Sequence, residues 1–273
     1  PRALECGLLR YSDRLVVDVD DSPIDVTLMQ AITATSLRAR LYYKIEAFLM
    51  KNCISHMLSK LRYSFFPNAS QVYKRRSSYL PNIPFYELES LPIPFESNNS
   101  LLFVGDLGYE PNITGIEHFI KHILPIVRQL IPDATLRVVG KCRLHEWALS
   151  MSRYPGVIMC GFVPDIVEEY RQASVCVVPI YTGAGTNIKV LEALQMGRPC
   201  VVSKQATRGF ESVLQNKKDY FVAENDKMFA DYIIKLLEDR VCYKDIVQNG
   251  RMKISMYYSR SRFYKIVKDS LLK

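Results

Sequence analysis

The stretch from Pro179 to Ser203 holds the residues whose types and spacing best suit chemistry. Gly183 and Gly185 stand where an apolar run ends, and Thr186 and Asn187 lead into a helical pattern. Glycines let backbone approach a ligand closely. A helix N-terminus behind them offers free N–H groups to an anion. Lys189 falls in the first turn of that helix, where its ammonium adds a full positive charge. Glu192 lies three residues on, on the same face, and an acceptor-only carboxylate suits a vicinal diol such as a ribose. Phosphate cradle, cation and diol acceptor together point to a nucleoside diphosphate. A purely structural glycine turn is the rival reading of the same residues.

Two familiar nucleotide chemistries fit poorly. Gly183 to Ile188 approaches the G-x-G-x-x-G dinucleotide fingerprint, but Ile188 occupies the third glycine position. The segment also follows the fourth apolar run of its region, and Ser203 and Lys204 stand where an acidic residue is required. No G-x-x-x-x-G-K-[ST] run is present, which argues against a P-loop kinase or ATPase. Smaller clusters carry weaker signals. His118 and His122 have the i, i+4 spacing of a metal pair, yet no Glu completes an H-E-x-x-H motif, so no metal site is expected. Asp18, Asp20 and Asp21 could bind a cation or act as bases, and equally could cap the helix after them. His56 and His145 read as structural.

The elements that must position the 179–203 segment have a clear rhythm. Apolar runs at 101–104, 134–139, 157–160, 175–179, 199–202 and 219–222 alternate with helical patterns near 114–131, 143–151, 165–173, 187–197, 207–214 and 225–240. Short continuous apolar runs between helices mark parallel strands buried on both faces. The expected fold is therefore α/β, a doubly wound parallel sheet of Rossmann type, with a partial second α/β domain. Such sheets bind ligands at the carboxyl ends of their strands. The first hundred residues differ. Leu15 to Asp21 reads as a short buried strand ending in carboxylates, and a helix is expected from about Asp25 to Cys53, with Leu37, Leu41, Ile45 and Phe48 on one apolar face. Four prolines between Pro81 and Pro94 read as a linker. The organisation expected is residues 1–98, a partial domain and linker; 99–240, the doubly wound domain; and 241–273, a helical tail.

Composition sets outer bounds. The chain has 273 residues, 48% hydrophobic and 23% charged, which are globular values that exclude disordered and collagenous classes. No window reaches the 18 consecutive apolar residues of a membrane span. The chain opens on Pro1 without the layout of a signal peptide, and reads as a fragment or processed chain. Seven scattered cysteines, an odd number without a C-x-x-C, point to free thiols in a reducing setting. Eight Lys or Arg against two Asp in 241–273 supply +6 of the net +8. Interleaved with Tyr257, Tyr258, Phe263 and Tyr264, that basic tail suits either a solvated helix face or an anionic membrane surface. No nucleic-acid-binding motif accompanies it.

The 183–203 segment resembles the nucleotide-sugar motif of group-1 glycosyltransferases of the two-domain GT-B fold. It shares Gly183, Gly185, Lys189, Glu192, Ala193, Gly197, Pro199, Val201 and Ser203, with Gly209 beyond. Phe103 to Gly105 with Pro111 and Asn112, the Val138-Val139-Gly140 strand end, and Gly161-Phe162-Val163 are similar to further pieces of that domain. The likeness covers about 101–240. It departs in having Ala184 where many relatives carry a first Glu, and no basic pair after Gly105, where Asp106 to Tyr109 stand. The resemblance implies sugar transfer from a nucleotide-diphosphate donor to an acceptor hydroxyl, with retention and without an obligatory metal or other cofactor, in surface polysaccharide or glycolipid biosynthesis. A non-catalytic nucleotide-sugar-binding module and a sugar-nucleotide epimerase of the same fold are the alternatives.

The donor-binding residues it implies are Gly105, Asp106, Gly161, Phe162, Val163, Gly183, Ala184, Gly185, Thr186, Asn187, Lys189 and Glu192, with Lys189 and Glu192 catalytic. Its partners would be the nucleotide sugar and a glycan or lipid-linked acceptor, with no nucleic acid. The location would be cytoplasmic, with peripheral contact at the inner membrane face through the basic tail. The first hundred residues resemble only the second half of an acceptor domain, so a homodimer through that region is a further expectation.

Overall fold

The computed structural model describes residues 11, 13–19, 23–68, 76–84, 91–92, 98–183 and 185–272. They fall into two compact units. One comprises Pro1–Asn82, Thr182–Thr186 and Arg260–Lys273; the other comprises Ile83–Tyr181 and Asn187–Ser259.

In the first unit, strands β1 (Val16–Asp18), β2 (Tyr63–Phe66) and β3 (Ser77–Tyr79) form a parallel sheet in the order β1-β2-β3. Val16 is paired with Tyr63 and Ser64 with Ser77. Leu58, Leu61 and Phe66 make a small core, joined by Leu15, Val17, Val19 and Ile54. The single helix expected over 25–53 is instead two, α1 (Pro23–Thr33) and α2 (Leu37–Ser59). Ser36 explains the break. Its backbone is extended, at φ −100° and ψ 144°, and its side chain accepts a bond from Ala39 N, an N-cap that starts α2. The apolar stripe read from the sequence lies on α2, but it faces outward: Leu37 is 81% exposed and Phe48 64%, with Leu41 and Ile45 also open. Asp18 ends β1; Asp20 and Asp21 lie outside the described residues. The tail helix α10 (Arg260–Leu271) belongs to this unit, and Ser270 on it donates to Ser78 Oγ at 3.2 Å.

The second unit is built on six parallel strands: β4 (Ser100–Val104), β5 (Thr135–Val139), β6 (Val157–Gly161), β7 (Val175–Val178), β8 (Cys200–Ser203) and β9 (Phe221–Ala223). Their order is β6-β5-β4-β7-β8-β9, the doubly wound arrangement whose chain reverses direction between β4 and β7. Leu101, Phe103, Leu136, Val138, Val175, Val177, Val201 and Val202 are all buried in one core. Helices cover the sheet, so its strands carry apolar residues on both faces rather than alternating. Those helices are α3 (Glu110–His118), α4 (Leu124–Leu130), α5 (His145–Met151), α6 (Ile166–Gln172), α7 (Ile188–Gln195), α8 (Asp226–Glu238) and α9 (Arg240–Tyr257). A π-turn at Phe119–Ile123 joins α3 to α4 in one rod. The helix expected over 207–214 is absent. A short 3-10 turn, Lys204–Thr207, stands before it, and Gly209 at φ +90° takes the backbone out of helical space.

Cys176 and Cys200 face each other in the β7–β8 register as free thiols, and Cys53, Cys142, Cys160 and Cys242 are also free. Two arginines hold the segment that enters the sheet. Arg198 is 1% exposed, and its guanidinium donates to the carbonyls of Tyr170 at 2.7 Å, Pro92 and Gly197 at 3.1 Å, and Arg171 at 3.3 Å. Arg251 donates to the carbonyls of Leu91 and Met196. Burial lowers the proton affinity of both guanidinium groups, and a neighbouring positive charge lowers it further in each case, Arg171 beside Arg198 and Arg198 beside Arg251. Among the described residues, no helix is long and apolar enough to cross a membrane.

Candidate functional site

The strand order reverses between β4 and β7, and the segments that leave those two strands bring Gly105 and Lys189 together there. Gly105 follows β4, Gly161 ends β6, and α7 begins ten residues after β7. Lys189 and Asn112 are the centre. Asn112, buried in the first turn of α3, accepts a bond from Lys189 Nζ at 2.6 Å and donates through Nδ2 to Asp106 O at 2.8 Å. The ammonium also lies 4.9 Å from the centre of the Phe103 ring, a cation–π contact. Gly105 closes the group. A Cβ there would come within 2.9 Å of Asn112 Nδ2 and 3.0 Å of Lys189 Nζ, so any larger residue would make these side chains shift from their present places.

Burial pushes the Lys189 ammonium down to about 8, and the nearby Glu192 carboxylate acts in the opposite direction. Asn112 solvates that charge with a neutral oxygen and does not cancel it. A second anion beside Nζ would therefore gain a charge-assisted bond in a poorly hydrated setting, where such bonds are strong. Glu192 is half-buried on α7, three residues beyond Lys189.

The other expected residues have separate situations. Asp106 is exposed, and its carboxylate accepts from Gly108 N at 2.8 Å, which shapes the turn after β4. Gly161 adopts φ +68°, and a Cβ on it would meet nothing within 4 Å, so the edge beside β6 is open. Phe162 is 76% exposed beside it, while Val163 packs against the core. Gly183 and Gly185 have φ of +99° and +80°. Thr186 and Asn187 are half-buried, and Asn187 stands at the N-cap of α7 with its side chain donating to Ala206 O at 3.3 Å rather than capping. Ala184 lies outside the described residues.

Sequence reasoning noted Asn112 only as part of a Pro-Asn pair and gave it no place in the site. Its signal was a polar residue in the first turn of a helix that must pack on a sheet. The His118–His122 pair has rings 4.7 Å apart, and His118 Nε2 lies 2.8 Å from Asp226 Oδ1 on α8. Among the described residues, no three His, Cys, Asp or Glu side chains are grouped to hold a metal ion.

Comparison with known proteins matches residues 98–239 to the family "Glycosyl transferases group 1". A protein of the Klebsiella pneumoniae cps region is 26% identical over 182 residues, covering 63% of this chain and 46% of its own length. The Escherichia coli UDP-Gal:alpha-D-GlcNAc-diphosphoundecaprenol alpha-1,3-galactosyltransferase is 25% identical over 198 residues, covering 69% of this chain and 49% of its own length. The chain thus spans about half the length of the curated relatives it matches. The crystal structure of Anabaena HepE in complex with UDP aligns over 98% of this chain and 82% of its own, with a TM-score of 0.66 at 13% identity. That likeness is one of fold.

Proposed function

Since the chain belongs to the group 1 glycosyl transferases, we propose that it supplies the donor side of a reaction moving a sugar from a nucleoside diphosphate to an acceptor hydroxyl, in the synthesis of a surface polysaccharide or glycolipid. The observation that carries this reading is the Gly105–Asn112–Lys189 group at the sheet's reversal point. The matched family and the galactosyltransferase relative favour transfer over epimerisation or binding alone.

The bond from the sugar's anomeric carbon to the diphosphate breaks with its electron pair on the phosphate oxygen. The acceptor oxygen bonds to that carbon, and its proton passes to the departing diphosphate. The barrier lies in the charge on the leaving group. Lys189 and the open N–H groups at the start of α7 stabilise that charge, which is the largest contribution in most such sites. Glu192 accepts from the ribose hydroxyls, and Gly161 to Val163 flank the base. Gly183, Ala184, Gly185, Thr186 and Asn187 form the turn that lets the diphosphate approach the backbone, and Asp106 keeps the turn after β4 in place. UDP is the nucleotide proposed, as the E. coli relative uses a UDP-sugar and HepE holds UDP. Arg262, Lys265 and Lys268, exposed on α10, are proposed to approach an anionic membrane bearing a lipid-linked acceptor. Residues 1–98, 99–240 and 241–273 would then be the acceptor-side part, the donor domain and the membrane-facing tail.

Calorimetry with UDP, GDP and ADP tests the donor site. At least one should bind with sub-millimolar affinity, UDP first. Lys189→Ala should weaken the diphosphate by about 1.5–3 kcal/mol, the size of a charged hydrogen bond, and leave uridine almost unaffected. Glu192→Ala should weaken both ligands alike. Folded protein that ignores all three nucleotides would overturn the assignment.

A further inference from the structure

We propose that the outward face of α2 is a lipid-docking surface, which lays its apolar stripe into the headgroup region of an anionic membrane. Leu37, Leu41, Ile45 and Phe48 step along one side of the helix, and Tyr42 and Leu49 widen that side. All six are more than half exposed. The opposite side of α2 is closed, with Ala47 and Leu58 buried. A single exposed leucine is ordinary in a folded protein. Six large apolar side chains on one helix face exceed the roughly few hundred Å² of contiguous apolar surface that is usual outside interaction sites.

The charges decide what covers this face. Arg38, Arg40, Lys44 and Lys51 are all exposed, and Glu46 is the one carboxylate of α2. At about 100° per residue, Arg40, Lys44 and Lys51 fall in one row, between the stripe and the buried side. Arg38 falls on the outward face itself, beside Ile45. Arg40 Nε donates to Ala34 O at 2.8 Å, which anchors that cation where α2 begins. Long cationic stems lie along apolar surface while their heads reach out to phosphates. Such a helix rests in the plane of a membrane interface. A second copy of the chain is the other obvious cover, and the same charges oppose it. Two such faces packed together would bring the cations of both copies to one apolar seam, with only Glu46 from each to meet them. An anionic lipid surface supplies the missing counter-charge. The surface is separate from the α10 contact, which rests on charge alone, because apolar side chains that enter lipid leave a signal that charge does not.

The test uses the full chain and vesicles of phosphatidylcholine, with and without phosphatidylglycerol. Phe48→Trp places an indole at the centre of the face. Its emission should shift to the blue, and be quenched by brominated acyl chains, when phosphatidylglycerol is present. In wild type the one tryptophan, Trp147, donates to Glu117 and should report neither change. Phe48→Ser should lower vesicle affinity about tenfold, the effect of one large side chain whose burial is lost. Lys44→Gln and Lys51→Gln should each lower it about fivefold at low salt. These positions are open, so the substitutions leave folding intact, and far-UV circular dichroism checks it. Replacing Arg262, Lys265 and Lys268 of α10 with Gln should reduce the bound fraction without returning the indole of the bound protein to water. Bound protein whose indole stays unshifted and unquenched would overturn the docking face, as would Phe48→Ser and Lys51→Gln variants that bind like wild type. A dimer in lipid-free solution that Phe48→Ser dissolves would give the face to a second copy and overturn it equally, and so would wild type that ignores both kinds of vesicle. The inference does not rest on the donor-site reading: nucleotide calorimetry can fail without touching the vesicle result.

Discussion

Helices α2 and α8 both present apolar residues three and four apart along one side. On α8, Phe229, Ala230, Ile233, Ile234 and Leu236 are buried, and the Phe229 ring meets Phe119 edge-on at 5.6 Å. On α2, Leu37, Leu41, Ile45 and Phe48 face outward, and only Ala47 and Leu58 are buried. The spacing is the same, and the difference is what stands opposite. The six-stranded sheet gives α8 a flat apolar surface to cover. The three-stranded sheet offers α2 a core of a few side chains. Periodicity identifies which face of a helix could be buried, and the area of the partner decides whether it is.

The strongest way to break this comparison is to truncate one phenylalanine in each helix. Phe229→Ala should lower the unfolding free energy by about 3–5 kcal/mol, the cost of an aromatic removed from a packed core. Phe48→Ala should change it by no more than about 0.5 kcal/mol, as at other open surface sites. Urea denaturation of both variants measures this, and equal losses would mean that α2 is covered in solution.

Burial should also show itself through charge. Folded Lys189 releases its proton near pH 8, whereas an unfolded lysine holds one to its ordinary value of 10.5. Between those limits the unfolded chain binds the extra proton, so raising the pH favours folding, by up to roughly 1.4 kcal/mol per unit. Below about pH 8 both states are protonated and the contribution is flat. The difference between wild-type and Lys189→Met stability profiles should therefore rise from pH 8 upward. Nucleotide affinity should move the other way, falling above pH 8 in wild type, because the diphosphate needs the protonated amine. A Lys189→Met profile parallel to wild type in both measurements would place the ammonium in open water.

The smallest test compares two caps of the same kind. Asn225 accepts from Met228 N at 2.9 Å and starts α8, and Ser36 accepts from Ala39 N at 3.1 Å and starts α2. Asn225→Ala should cost about 1 kcal/mol of global stability. Ser36→Ala should register as local fraying of the first turn of α2, visible in amide exchange with little change in the urea midpoint. A full global loss from Ser36→Ala would tie α2 to the cooperative core.

The six strands of the larger sheet were legible because each is a continuous apolar run closed by polar or turn residues. Where local chemistry outweighed periodicity, the reading failed. Ser36 caps a new helix within what looked like one long pattern, and Gly209 diverts the backbone where a helix was expected. Lys189 could be singled out from its place after two glycines. Its partner Asn112 lies 77 residues earlier, and Asp226 lies 108 residues beyond His118. Pairs at that separation leave no spacing in the sequence and emerge only when parallel strands bring their loops to one edge.

The arginine clasp on Leu91 and Pro92 bears on how the larger unit can be excised or grafted. Its sheet begins at Ser100, and a cut just before that strand would spare every β-strand of the unit. Yet Arg198 and Arg251 would then lose carbonyl acceptors while their guanidinium groups stayed inside, and a buried charge stripped of a partner is among the costlier defects in a protein interior. The minimal transplantable module therefore starts upstream of Leu91. What looks in sequence like the last of a proline-rich linker is, energetically, the first piece of the domain it introduces.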